Sequence, residues 1–115
     1  MLVEILNALG AQTIPSGRSD TFVPIDTEDI QDEQVEAIQF LADRANAEHG
    51  PLQAVVSLDG DSDRPLILGV DPESGRVSFF GGDLVGMIAA EFLKADAVVV
   101  PISCNDAIDR GKLRE

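Results

Sequence analysis

The chain has 115 residues, 44% of them hydrophobic and only 4% aromatic, and carries a formal net charge of −13. Roughly two-thirds of the unfolded surface can be buried at this length, which supports one core and excludes two. The charge, with no Lys or Arg cluster to oppose it, excludes nucleic acid and anionic membranes as partners, because phosphate groups are held by basic side chains.

With no Trp or Tyr, the core must be built from Val, Ile, Leu, Ala and five Phe. The single cysteine, Cys104, excludes an intrachain disulfide framework and reads as a structural residue, since no histidine lies near it to activate the thiol. No long apolar span or signal peptide is visible, so the expected setting is a reducing cytoplasm.

Leu2, Val3, Ile5, Leu6 and Leu9 recur at helical spacing, and Gly10 supplies a stop. No capping residue precedes this helix, which predicts a chain cut inside or just before it. Residues 11–15 are expected to form a short strand, followed by the turn-rich Ser16-Gly17-Arg18-Ser19-Asp20. Asp26 or Thr27 is placed to cap a long helix running to about Glu48. Its core face would carry Ile30, Val35, Ile38, Leu41, Ala42 and Ala45, and its acidic residues would face water. His49 reads as a solvent-facing residue at the helix end. Residues 53–58 form an apolar run expected to be a buried strand. Residues 65–70 and 76–80 suggest a hairpin around Asp71-Pro72-Glu73-Ser74-Gly75. Asp83 is then expected to cap a helix bearing Leu84, Ile88, Ala89 and Phe92, and residues 97–102 are rich in β-formers. Gly81-Gly82-Asp83 lacks both the G-x-G-x-x-G spacing and a Walker lysine, so it reads as a helix entry and not as a nucleotide loop. Helices alternating with strands predict an α/β layer structure.

The chemistry is concentrated in Asp59-Gly60-Asp61-Ser62-Asp63-Arg64, where three carboxylates alternate directly after the strand. Two carboxylates ~4 Å apart repel by roughly 4 kcal/mol at an effective dielectric of ~20, so three on one short loop call for a cation. Oxygen ligands of this kind suit Mg²⁺ or another hard divalent ion. The position suits a site as well, since ligands of open α/β sheets collect beyond the carboxyl ends of strands. An EF-hand beginning at Asp59 requires Gly sixth and Glu twelfth, where this chain has Arg64 and Val70. A haloacid-dehalogenase-like loop would follow its second Asp with Thr or Val two residues on, where Asp63 stands.

The full string from Asp59 to Arg64 resembles the metal-binding loop of the α-D-phosphohexomutases, the phosphoglucomutase and phosphomannomutase family. Residues 17–28 (GRSDTFVPIDTE), Gly82-Asp83-Leu84 and Val98-Val99-Val100-Pro101-Ile102-Ser103-Cys104-Asn105 extend the resemblance, so that residues 1–115 as a whole are similar to the second domain of bacterial members. With the alternating elements, this implies a three-layer α/β/α domain with a mixed, mainly parallel sheet, lacking the family's N-terminal strand and truncated at both ends relative to the full enzyme. The resemblance implies transfer of a phosphoryl group between the 1- and 6-positions of a hexose, through a phosphoserine and a bisphosphorylated sugar. It makes Asp59, Asp61 and Asp63 ligands of Mg²⁺ and puts Arg64 beside the reactive phosphate. The nucleophile is not here, because none of the serines (16, 19, 57, 62, 74, 78 and 103) lies in the family's Ser-His-Asn-Pro setting. The implied partners are the remaining mutase domains, with a phosphosugar bound only in their company. The chain alone is expected to be inactive and, with a sheet edge bared, to pair with itself. The competing expectations are a freestanding metal-binding or interaction module and, more remotely, a phosphatase-like hydrolase.

Overall fold

A computed structural model of the chain describes residues 1–16 and 30–101. These residues form a small α/β domain: α1 (Leu2–Ala8), α2 (Asp32–His49), β1 (Ala54–Leu58), β2 (Pro65–Val70), β3 (Val77–Phe80) and α3 (Gly82–Phe92). Residues 17–28, the expected caps Asp26 and Thr27, and the stretch from Ile102 onward, Cys104 included, lie outside the described residues.

The three strands make one sheet in the order β1-β2-β3, and both pairings are antiparallel. Among the described residues no pairing is parallel, so the expected mainly parallel sheet is not confirmed by them. The reason is connection length. Six residues separate β1 from β2 and six separate β2 from β3, whereas parallel neighbours need a crossover of roughly a dozen or more. The two segments expected to add further strands do not do so: residues 11–15 and 97–101 are extended neither into a ladder nor into a helix.

β2 is the centre of the fold. Its residues alternate, so that Leu66, Leu68 and Val70 are buried while Ile67 and Gly69 are only partly covered. Leu68 lies opposite Val55 on one side and Phe79 on the other, which stacks apolar side chains across all three strands on one face. On the other face the Phe80 ring lies over Gly69. A Cβ there would come within 2.9 Å of two ring carbons, so glycine is what lets the ring settle on the backbone.

α2 lies against β3 and contributes Ala42 to the core. Val35, Ile38, Leu41 and Ala45 are each partly covered, as their spacing predicts, while Asp32, Glu33, Asp43 and Glu48 are exposed. The helix begins later than expected. Gln31 is the N-cap, and it exchanges side-chain bonds with Gln34, whose Oε1 accepts from the Gln31 amide at 3.0 Å. Gln39 ties helix to hairpin, donating from Nε2 to the Gly75 carbonyl at 3.0 Å and accepting from the Val77 amide at 2.9 Å. One side chain thus satisfies backbone groups at the start of β3 that no neighbouring strand reaches. α3 begins at Gly82 with Gly81 as N-cap, so Asp83 sits in the first turn and is not the cap. Its carboxylate still favours the positive end of the helix dipole.

The β2–β3 turn closes as the sequence predicts. Asp71 Oδ1 accepts from the Ser74 hydroxyl and amide, both at 2.7 Å, and from the Glu73 amide at 3.2 Å. Gly75 has φ 71°, a backbone that glycine adopts without strain. The Ser74 hydroxyl, then its amide, hold the Asp71 carboxyl below its ordinary value of 3.8, with the Glu73 amide adding to them against a smaller upward push from burial. A depressed folded pKa stabilises the fold above the unfolded value, and the contribution is lost as pH falls from about 3.8 through the lower folded value. A carboxyl NMR titration is expected to place the Asp71 midpoint below 3.8, and Ser74→Ala is expected to move it back up. An unchanged midpoint in Ser74→Ala would remove the hydroxyl as the cause.

Candidate metal centre

The acidic loop joins β1 to β2 at one end of the sheet. Sequence spacing treats its three aspartates alike, but the fold does not. Asp59, directly after β1, is 8% exposed and is the one buried polar residue among those described. Asp61 and Asp63 are exposed.

Asp59 organises the loop. Its Oδ1 accepts from the Asp63 amide at 3.2 Å and the Arg64 amide at 3.3 Å, and its Oδ2 accepts from Arg64 Nε at 3.1 Å. The backbone closes the same ring, with the Asp59 amide donating to the Arg64 carbonyl and the Ser62 amide donating to the Asp59 carbonyl, each at 3.1 Å. Ser62 takes φ 64°, a left-handed conformation uncommon for a residue with a Cβ, and these bonds hold it there. The turn points the chain so that Asp61 and Asp63 rejoin Asp59.

Electrostatics separate the three carboxylates further. Burial pushes the Asp59 carboxyl upward, but bonds from the Arg64 backbone, the Arg64 side chain and Asp63 outweigh it, so its pKa falls below the ordinary 3.8. Asp63 moves the other way. Its approach to the Asp59 carboxyl, followed by the charge on Asp61, raises its pKa above 3.8, and Arg64 offsets only part of this. The opposite shifts describe a loop with more negative charge than its one arginine balances.

One ligand oxygen from each of Asp59, Asp61 and Asp63 can be chosen so that all three lie within 4.8 Å of one another. Around Mg²⁺ with oxygens at ~2.1 Å, adjacent ligands stand about 3.0 Å apart and opposite ones about 4.2 Å. The exposed side chains of Asp61 and Asp63 would have to rotate inward to reach that geometry. Three hard oxygen donors, two of them open to water, fit an ion that keeps part of its hydration shell.

Arg64 closes the loop and turns back onto its carboxylates, partners that the sequence did not indicate. Its Nε lies 3.1 Å from Asp59 Oδ2 and 3.6 Å from Asp63 Oδ1. The signal available beforehand was only that an arginine follows the acidic run. His49 is exposed at the end of α2 beside Glu48, 3.7 Å away, as a helix-end residue would be. A shallow cavity of about 210 Å³, lined by Asn46, Leu52, Val70, Asp71 and Pro72 among others, opens at the far end of β2 from the acidic loop. It is smaller than the roughly 300 Å³ at which small-molecule pockets begin.

No family model and no solved structure matches the chain. Two curated proteins do. A phosphomannomutase of Salmonella muenchen is 41% identical over 108 residues, covering 93% of this chain and 20% of the relative. A phosphomannomutase of Sinorhizobium fredii is 38% identical over 109 residues, covering 95% of this chain and 21% of the relative. The chain thus spans about one-fifth of the length of these relatives. Identity at this level over almost every residue makes the chain a homologue of that one segment of the two phosphomannomutases.

Proposed function

We propose that the chain is the cation-binding part of a phosphohexomutase, with Asp59, Asp61 and Asp63 holding Mg²⁺ and Arg64 facing the phosphate. The observation that carries this reading is the convergence of the three aspartate oxygens within 4.8 Å in a chain homologous to phosphomannomutases. Asp59, fixed by two backbone amides, sets the position of the site, and Asp61 and Asp63 close on it from the water side. When bound, the ion supplies a positive charge against the oxygens of a transferring phosphoryl group. The chain's own part is to hold that charge in a fixed place next to a guanidinium suited to phosphate.

Interconversion of hexose 1-phosphate and hexose 6-phosphate, a phosphoserine and the sugar contacts belong to this reading only in the company of further mutase domains. The chain by itself carries none of the serines in the required setting and is inactive on this reading. Titrating Mg²⁺ while recording backbone amide shifts tests the site. Residues 59 to 63 should move together with one midpoint, and no response at tens of millimolar ion would overturn the assignment.

The distribution of apolar surface supports docking partners. α1 and α3 contribute no buried residue, and Phe92, Leu93 and Val99 are 84%, 73% and 98% exposed. In a full-length mutase these surfaces would meet further chain, and the parallel strands of a three-layer domain would be completed through residues 11–15 and 97–102. Alone, the chain is expected to pair with itself through the same surfaces, more readily at ~0.15 M salt than at low ionic strength, where the net charge is screened less. Sedimentation velocity at several protein concentrations should show a dimer; a monomer at every concentration and salt would exclude self-association. No helix of the described residues is long and apolar enough to cross a membrane.

A further inference from the structure

We propose that Arg64 is a built-in counter-ion, which holds the acidic loop together without a metal and competes with a divalent cation for Asp59 and Asp63. The inference rests on the reading of this loop as a cation site. Its own support is the placement of one guanidinium between two of the three carboxylates: Arg64 Nε is 3.1 Å from Asp59 Oδ2 and 3.6 Å from Asp63 Oδ1.

The oxygen Oδ2 is the contested one. Oδ1 of Asp59 already accepts two backbone amides, which use both of its lone-pair directions. A cation approaching Asp59 therefore has to share or take the oxygen that Arg64 holds. Sharing is opposed by like charge, since the guanidinium is always ionised and would stand a few ångströms from a dication.

The two partners differ in how easily they let go. The Arg64 side chain is 54% exposed, so its charged head can turn into water with little desolvation to reverse, whereas the Asp59 side chain is 5% exposed and stays anchored by its amide bonds. Arrival of the ion then moves the arginine and leaves the carboxylate in place. The loop has two arrangements, guanidinium in or cation in, and either occupant weakens the other by the same factor. The arrangement also keeps three clustered carboxylates from repelling one another while no ion is bound. It turns the guanidinium outward only once the ion is there.

The test is a pair of Mg²⁺ titrations, of the 115-residue chain and of Arg64→Gln, reading the amides of residues 59–63 and, in the unsubstituted chain, the Arg64 Nε–H resonance. Arg64→Gln is expected to bind Mg²⁺ about fivefold more tightly, the factor that an ion pair half open to water is worth. In the unsubstituted chain the Nε–H resonance should shift with the same midpoint as the amides. Binding by Arg64→Gln that is equal or weaker, or an Nε–H that stays still while the amides move, overturns the competition and leaves the cation site standing. No amide response in either protein overturns the cation site itself, and the competition with it. Should Arg64→Gln disorder the loop, the Nε–H measurement in the unsubstituted chain decides alone.

Discussion

Asp61→Asn is expected to weaken Mg²⁺ binding by at least about tenfold while leaving the fold untouched, because it removes one of three charges from a hard-ion site and nothing else. Asp61 is exposed, and no described hydrogen bond of the loop depends on its carboxylate. The thermal transition and the amide spectrum outside the loop should therefore be unchanged. Asp59→Asn is expected to behave differently. It loses charge at the same site, but it also weakens the acceptor that gathers the Asp63 amide, the Arg64 amide and Arg64 Nε. Hydrogen exchange at residues 63 and 64 should quicken along with the loss of ion binding. The contrast between an exposed ligand and a buried organiser is the test. If both variants bind Mg²⁺ as the parent does, the three aspartates are only a solvated turn. If Asp61→Asn loosens the loop as much as Asp59→Asn, the structural division between them is wrong.

That division shows where sequence reading stops. Alternation of acidic residues after an apolar run was enough to pick out the loop whose carboxylate oxygens converge, because the run has strand composition and the carboxylates crowd a short connection. It could not rank the three. Their ranking depends on Ser62 turning to φ 64° and on Arg64 folding back, and neither leaves a mark in spacing. The hairpin was legible for the opposite reason: Asp71, Ser74 and Gly75 carry the turn chemistry locally, so 65–70 and 76–80 were bounded to within a residue or so. Sheet direction was not legible. Helix and strand alternate along the chain, which favours a parallel sheet, yet short loops set the direction of every described pairing. The start of α2 was misplaced because Gln31 and Gln34 cap each other, and glutamine is a weaker signal than the Thr27 and Asp26 before it. Exposed Ile88 and Phe92 illustrate a last gap, since periodicity identifies an apolar face but not whether anything within these residues covers it.

Leu68→Ala should be among the most destabilising substitutions at the described residues, at ~2–5 kcal/mol, the range for removing a fully buried leucine side chain. Leu68 is 0% exposed at the middle of the central strand, between Val55 and Phe79. Total stability for a small domain is only about 5–15 kcal/mol, and few groups here are in a position to compensate. The described apolar core consists of Ala42, Leu66, Leu68 and Val70, three of them on β2. A cavity at Leu68 therefore separates the strands from one another and from the helix that covers them. The acidic loop depends on the same packing, since β2 begins directly after Arg64. Urea unfolding should show a midpoint lowered by at least about 1 M with an unchanged slope. Val99→Ala is the control. Val99 is 98% exposed, and its truncation should change stability by no more than about 0.5 kcal/mol. Should the two substitutions cost the same, stability resides in the apolar surfaces of the helices and the segment after them, joined to another copy, and not in the three-stranded core.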